Sequence, residues 1–201
     1  MAREEIVSNA SEQLILVDEN DREIGFKAKN DCHLGGGTLH RAFSIFVFNS
    51  SNELLLQQRS GSKMLWPNYW SNTCCSHPRR GEAMQDAVVR RLEQELGFRC
   101  PLTYLYKFKY QAQFGSIGAE HEYCSVYYGR YDGPVDVNVN EIAAWRWIDI
   151  GSLERELAAA PDTFTPWFKM EWVHIKANYL DGRSEEHTSE LQSHLNLVCR
   201  L

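Results

Sequence analysis

The sequence predicts an α+β fold, because strand patterns stand on both sides of one clear amphipathic helix and further helices follow them. Strands and helices do not alternate as they do in a repeating βαβ fold. The length of 201 residues corresponds to one domain, which we place at residues 1–180. With 43% hydrophobic residues, a chain of this size can bury a core without disulfide bonds.

Two hairpins are predicted in the first sixty residues. Residues 13–26 carry two apolar runs around the turn DEND, and residues 40–58 carry two more around NSSN. The first arm of the second hairpin is apolar on both faces, which is typical of a central strand. An aromatic loop, WPNYW, follows at 66–70.

The clearest helix is predicted at residues 82–96, where Met84, Val88, Leu92 and Leu96 recur every fourth residue and Gly97 provides the stop. Three strands follow at 103–113, 120–130 and 142–148. Strict alternation in the first of them predicts one aromatic face, made of Tyr104, Tyr106, Phe108 and Tyr110.

A final helix is predicted to begin at Thr165 as N-cap and Pro166 in the first turn. Its apolar stripe consists of Phe168, Trp172, Ile175 and Tyr179. Residues 181–201 differ abruptly in character and resemble translated sequencing-adapter strings. We expect a non-native or disordered tail and exclude its His187, His194 and Cys199 from function; a genuine C-terminal extension is the alternative.

Composition excludes several functional classes. A net charge of −6 argues against binding to nucleic acid or to anionic membranes. The longest apolar run, at 42–48, is too short to span a bilayer, and the N-terminus lacks the apolar segment of a secretory signal. The six cysteines show no CxxC spacing, so we expect reduced thiols in a cytoplasmic protein.

Three histidines and two acids are candidate metal ligands. His33 and His40 stand on either side of three glycines, 35–37, that allow a tight turn, and His77 would share a face with Cys75 in an extended segment. Glu120 and Glu122 would share one face of a strand, and two buried acids on one face need a cation. The alternative is ordinary: surface or core histidines and a solvated edge strand. The ligand types suit Mn, Fe(II), Zn or Mg without choosing among them.

The helix and the basic residues allow two readings. Glu95 lies on the inward edge of the helix one turn after Arg91, either as a structural ion pair or as a metal ligand beside a phosphate-binding arginine. No Walker loop or GxGxxG motif is present, so surface charge is one reading of the basic residues and a diphosphate held by side chains with a hard metal is the other. These basic residues are Lys29, Arg59, Lys63, Arg79, Arg80, Arg90 and Arg91.

Four motifs together resemble type 1 isopentenyl diphosphate isomerase. They are HxxxxxxH at 33–40, WPxxWxNxxCxHP at 66–78, GExxxDAxxRRLxxELG at 81–97 and ExE at 120–122, and the likeness runs from about residue 12 to 180. The resemblance implies a Nudix-like α/β/α sandwich with a mixed central sheet. It also implies a small-molecule isoprenoid diphosphate substrate.

The resemblance also implies residue roles. Cys75 and Glu122 would be the catalytic acid/base pair, and Glu95 with the Cys75 carbonyl would hold a Mg that arrives with the diphosphate. One tightly bound divalent metal (Mn, Zn or Mg) would be held by His33, His40, His77, Glu120 and Glu122. The diphosphate would be bound by Lys29, Arg59, Lys63 and Arg91, and the hydrocarbon end would contact Tyr110 and Trp167.

The same helix resembles the Nudix box only in part. Glu82, Arg90, Leu92, Glu95 and Gly97 fit the box, whereas Ser76, Arg91 and Gln94 replace its first glycine and two of its acids. Hydrolases of this kind use those acids to hold the Mg that activates water, so the losses argue against hydrolysis. A Nudix-type diphosphate hydrolase is the second hypothesis. A non-catalytic metal-binding module is the third, and it leaves Cys75, Trp167 and the basic residues without a purpose.

Overall fold

A computed structural model describes residues 3–180. These residues form two compact units, the first ending at Thr165 and the second beginning at Pro166. The predicted single domain stays a prediction, and the predicted tail at 181–201 lies outside the described residues. No helix among the described residues is both long enough and apolar enough to cross a bilayer.

The first unit is built on a mixed sheet. Its strands are β1 (Gln13–Val17), β2 (Glu23–Ala28), β3 (His40–Phe48), β4 (Leu54–Arg59), β5 (Trp70–Ser71), β6 (Cys74–Ser76), β7 (Leu102–Phe114), β8 (Gly118–Arg130) and β9 (Ile142–Ile148). The helices are α1 (Lys29–His33), α2 (Met84–Leu96) and α3 (Ile150–Ala159), and α4 (Pro166–Ile175) belongs to the second unit. Strands and helices in this order confirm the α+β prediction.

Strand β3 lies between β8 and β6 in the sheet. It pairs in parallel with β8 along its whole length, from His40 opposite Glu122 to Phe48 opposite Arg130. On its other side β6 pairs antiparallel, with Cys75 opposite Ser44. The predicted hairpin with β4 therefore closes only at Phe48 and Leu54, because β6 occupies the place beside the rest of β3.

Helix α2 packs on one face of the sheet through the stripe that its period predicts. Val88, Leu92 and Leu96 are buried with Phe43 and Ile45 of β3, and Gly97 ends the helix in the left-handed conformation with φ of 78°. Truncating such a buried leucine to alanine typically costs about 2–5 kcal/mol. This packing fixes the inward edge of α2, which carries Arg91 and Glu95.

The predicted aromatic face of β7 is wrong at one residue. The strand has a β-bulge at Leu105, so that Tyr104 pairs with Tyr127 while Tyr106 pairs with Val126. An extra residue reverses the direction of every side chain before it, so Tyr104 faces the side opposite to Tyr110. Period-two alternation alone gives no sign of a bulge.

Two helices were not assigned from the sequence. Helix α1 covers only Lys29–His33, and α3 begins at Ile150 after the N-cap Asp149, whose side chain accepts a hydrogen bond from the Ser152 backbone N–H. The final helix begins at Pro166 as expected, and Phe168, Trp172 and Ile175 are buried on its stripe. Tyr179 lies beyond it, in a π-helical turn at Lys176–Leu180.

Candidate active site and metal centre

The five predicted metal ligands converge. His33, at the end of α1, His40, at the start of β3, and His77, just after β6, have ring centroids 4.8–5.3 Å apart. Glu120 and Glu122 of β8 complete a group of five ligand atoms that all lie within 4.8 Å of one another. Three strands and a short helix therefore bring together residues up to 89 positions apart in the sequence.

The histidines are oriented for ligation. Nδ1 of His33 donates to the Lys29 carbonyl at 2.6 Å, and Nδ1 of His40 donates to the Thr38 carbonyl at 2.7 Å. These bonds fix the Nδ1–H tautomer and leave each Nε2 with a lone pair facing the cluster. His40 Nε2 is buried and has no hydrogen-bond partner among the described residues, which fits a cation-binding atom.

The carboxylates lie beside those nitrogens. Glu120 Oε2 lies 2.9 Å from His33 Nε2, and Glu122 Oε1 lies 2.9 Å from His77 Nε2. Burial lowers the pKa of His33, but the charge of Glu120, the hydrogen bond to Glu120 and the bond to the Lys29 carbonyl together outweigh burial and raise the pKa above its ordinary value. Burial lowers the pKa of His40 to about 4, so this imidazole is neutral at pH 7. A neutral imidazole beside carboxylates fits a divalent cation.

The three glycines at 35–37 position the first two histidines as expected. Gly37 has φ of 75°, and a Cβ there would lie 2.9 Å from the Ala119 carbonyl oxygen. Only glycine allows the turn to pack so closely against β8.

The two neighbouring cysteines point in opposite directions, as an extended segment requires. Cys74 is fully buried in the core beside α2, whereas Cys75 is half-buried and its Sγ lies 3.9 Å from Arg59 Nη1. None of the five cysteines in the described residues forms a disulfide. The segment also takes Ser76 without a positive φ, so a side chain is tolerated where the related motif carries glycine.

Arg59 is held by backbone carbonyls that the sequence did not reveal. Its Nη2 donates to the Leu65 carbonyl at 2.9 Å and its Nε donates to the Trp66 carbonyl at 3.1 Å. Trp66 has φ of 47°, a conformation that bulky residues rarely adopt. The aromatic loop therefore serves to orient the Arg59 guanidinium, and Nη1 is left facing Cys75.

Tyr110 of β7 contacts the cluster directly. Its buried hydroxyl donates to Glu122 Oε2 at 2.6 Å. Burial and then the charge of Glu122 raise the pKa of the phenol well above its usual value. Trp167 is buried at the second residue of α4, in the second unit, and its predicted role at the hydrocarbon end stays a prediction.

A second group of charges surrounds Arg91; we call it the charged pocket, and it consists of Lys29, Lys63, Arg91, Glu95 and Glu141. Arg91 Nη2 pairs with Glu95, and Arg91 Nη1 donates to the Val7 carbonyl at 2.9 Å. Burial, followed by repulsion from Lys63 and Arg91, lowers the pKa of Lys29 to about 8. The structural ion pair of Arg91 and Glu95 is thus present. The roles of Arg91 in binding the diphosphate and of Glu95 in binding Mg²⁺ stay predictions.

The remaining basic residues of α2 and of the segment before it are held in ion pairs or against an aromatic ring. Arg79 pairs with Glu12, Arg90 pairs with Glu82, and Arg80 lies 4.5 Å from the centre of the Phe26 ring. Gln94, at a box position usually acidic, accepts a hydrogen bond from Arg90 at 3.1 Å.

Comparison with known proteins agrees with this architecture. Residues 38–168 match the NUDIX domain family. The crystal structure of a Deinococcus radiodurans protein, 25% identical, superposes with a TM-score of 0.62 and covers 74% of this chain and 90% of that one. The MutT protein from Methanosarcina mazei has a TM-score of 0.57 at 15% identity, covering 74% of this chain and 96% of its own, and it supports the fold alone.

Curated relatives narrow the family further. The isopentenyl-diphosphate Delta-isomerase 1 of Photorhabdus laumondii is 45% identical over 172 residues, which are 85% of this chain and 98% of the relative. The isopentenyl-diphosphate Delta-isomerase of Burkholderia multivorans is 50% identical over 157 residues, 78% of this chain and 89% of the relative. The chain belongs to the isopentenyl-diphosphate Delta-isomerase family, on the Nudix fold.

Membership in this isomerase family confirms the resemblance and the Nudix-like prediction. It also explains the departures from the Nudix box, because an isomerase on the Nudix fold does not need the acids that hydrolysis uses. Sequence reasoning missed Glu141 and the carbonyls of Val7, Leu65 and Trp66. A backbone carbonyl leaves no signature in the sequence, and Glu141 shows only as an acid placed directly before β9.

Proposed function

We propose that this chain interconverts isopentenyl diphosphate and dimethylallyl diphosphate. The reaction adds a proton at one end of an unactivated alkene and removes one from a neighbouring carbon, through a tertiary carbocation. One observation carries the proposal: Cys75 and His77 lie on one extended segment, and His77 contacts Glu122 from the opposite side of β3. A thiol and a carboxylate from separate strands therefore lie on the same face of the sheet.

Cys75 and Glu122 are the proposed proton-transfer groups. Two groups on different strands can add and remove protons on opposite faces of the substrate without its turning over. The Tyr110 hydroxyl, bonded to Glu122, orients that carboxylate and can relay its proton. The aromatic ring of Tyr110 would shield the carbocation from water and stabilise it by roughly 0.5–2 kcal/mol.

The metal centre and the charged pocket would hold the two ions of the family. The Mn-, Zn- or Mg-type ion bound by the three histidines and two glutamates would make the Glu122 carboxyl a stronger acid. Glu95 and the Cys75 carbonyl are oxygen donors, which Mg²⁺ prefers, and they would bind the ion that accompanies the diphosphate. Lys29, Arg59, Lys63 and Arg91 would bind its oxygens, positioning the small hydrocarbon end for the reaction.

Incubation with isopentenyl diphosphate and Mg²⁺ tests the function. We expect an acid-labile allylic diphosphate and little or no phosphate release. Nucleoside diphosphates and diphosphate sugars, offered in parallel, should not be hydrolysed. Phosphate release at a rate comparable with isomerisation would support the Nudix hydrolase instead, and metal binding without either reaction would support a non-catalytic module.

A further inference from the structure

Glu141 lies among the cations that are predicted to bind the diphosphate. Its side chain is only 3% exposed, and its Oε2 pairs with the Lys63 ammonium and lies 3.3 Å from Arg91 Nη2. Burial raises the pKa of Glu141, but the charges of Lys63 and Arg91 outweigh burial and lower it. The carboxylate is therefore a buried anion held by cations that the substrate also needs.

A second carboxylate shares the same guanidinium nitrogen. Arg91 Nη2 pairs with Glu95 as well as with Glu141, so two acids compete with any incoming anion for one cation. The backbone builds this arrangement. Asn138 N–H donates to the Glu95 carbonyl at 2.8 Å, and the Glu141 N–H donates to the Asn138 carbonyl at 3.0 Å. The segment 138–141 thus fixes Glu141 against the end of α2.

These charges discriminate between a bare diphosphate and one that carries a cation. A bare diphosphate would be repelled by the carboxylates of Glu95 and Glu141. It would also have to displace Glu141 from Lys63 and Arg91. A diphosphate that carries Mg²⁺ brings positive charge to the same carboxylates. Removing the Glu141 charge would release both cations to pair with a bare diphosphate.

We propose that Glu141 is a positioning residue of the diphosphate subsite that makes diphosphate binding depend on Mg²⁺. The inference deepens the proposed function and rests on it for the identity of the subsite. Glu141 acts by occupying Lys63 and Arg91 until the magnesium–diphosphate complex replaces it. The carboxylate then remains beside the bound complex as a second anion next to Glu95.

Calorimetric titration with inorganic diphosphate, with and without added Mg²⁺, tests this role without a catalytic assay. In the wild-type protein Mg²⁺ should lower Kd strongly. In Glu141→Gln, the ratio of Kd without Mg²⁺ to Kd with Mg²⁺ should fall about tenfold, mainly because bare diphosphate binds more tightly. The matched control is Glu93→Gln, which removes an acid of α2 that pairs with the exposed Arg99 and should leave the ratio unchanged.

A folded Glu141→Gln variant with the wild-type ratio would overturn the proposal. If that variant does not fold, Glu141→Asp keeps the charge but withdraws the carboxylate by one methylene. It should weaken the binding of magnesium–diphosphate at least threefold, and wild-type Kd values in that variant would refute the role. Isomerisation by the wild-type protein is measured separately. If Glu141→Gln loses the effect of Mg²⁺ on diphosphate binding but the wild-type protein does not isomerise isopentenyl diphosphate, this proposal stands and the proposed function is rejected.

Discussion

The metal centre and the charged pocket are both buried groups of ionisable side chains, but they are held in place differently. In the metal centre, the orienting bonds of His33 and His40 go to carbonyls four and two residues away, respectively, and its two carboxylates are two residues apart on β8. In the charged pocket, Arg91 contacts Val7 and Lys63 contacts Glu141. Local spacing therefore indicates the first group in the sequence, whereas in the second only the pair of Arg91 and Glu95 is local and the other members are brought in by long-range packing.

The two regions also differ in what a substitution leaves behind. Removing one member of a buried ion pair leaves an uncompensated charge and typically costs about 3–5 kcal/mol. The charged pocket should therefore be tested with neutral or charge-preserving variants of similar size. His40 is buried but neutral at pH 7, because burial lowers its pKa to about 4, so its removal leaves no stranded charge of its own.

Substitution of Cys75 gives the largest expected effect. It should lower turnover without changing metal binding in the metal centre or diphosphate binding in the charged pocket. Cys75→Ala should lower turnover at least ~10²-fold, the lower end for a lost general acid or base. Metal content and diphosphate affinity should stay near wild type, because the thiol is in neither ligand set. Steady-state kinetics, elemental analysis and calorimetry on one preparation measure all three.

Cys74→Ala is the matched control, because its thiol lies in the core beside α2. It should retain turnover and lose about 1 kcal/mol of stability. An electrophilic substrate analogue should alkylate Cys75 and spare Cys74, as peptide mapping would show. An inactive Cys74→Ala beside an active Cys75→Ala would refute both the register of β6 and the catalytic assignment.

The metal centre should fail when one ligand is lost. His40→Ala should weaken binding of the tight divalent ion at least about tenfold, because its buried Nε2 faces the cluster with no hydrogen-bond partner among the described residues. Elemental analysis after gel filtration should find about one ion per chain in the wild-type protein and far less in the variant. Glu120→Gln should behave in the same way, while Glu156→Gln, which alters an exposed ion pair with Arg146, should keep the metal. A fully active protein without metal would refute the centre.

Features set by local spacing could be predicted from the sequence, whereas those set by long-range packing could not. The period of α2, the strand at 142–148, and the shared face of Glu120 and Glu122 depend on neighbours within a few residues, and each agrees with the structure. The bulge at Leu105 and the pairing of β6 with β3 depend on contacts between strands, and nothing in the neighbouring sequence predicts either of them. Glu141 was missed for that reason: its cations lie 50 and 78 residues away.

A smaller effect is expected from the orientation of Arg59. Arg59→Lys keeps the charge but loses the planar group that two carbonyls hold, from Leu65 and Trp66. We expect a loss of about 1 kcal/mol in diphosphate binding, which is roughly a fivefold rise in KM, with kcat changed less. Initial rates over a range of isopentenyl diphosphate concentrations measure the two constants. Arg130→Lys, at an exposed bond to Asn52, is the control. A wild-type KM in Arg59→Lys would show that diphosphate binding does not depend on the orientation that the two carbonyls give Arg59.

The smallest effect is expected from the tail, and it tests whether both regions are complete without it. Truncation after Leu180 should change neither turnover nor metal content. It should also keep Tm within about 1 °C, because residues 181–201 carry no periodic apolar face long enough to pack as an amphipathic helix. Thermal unfolding of the full chain and the truncated chain, both with metal bound, measures the difference. A fall of several degrees would mean that the tail packs on the protein. A loss of metal without a fall in Tm would instead place its His187 or His194 near the metal centre, which now is assigned wholly to residues 33–122.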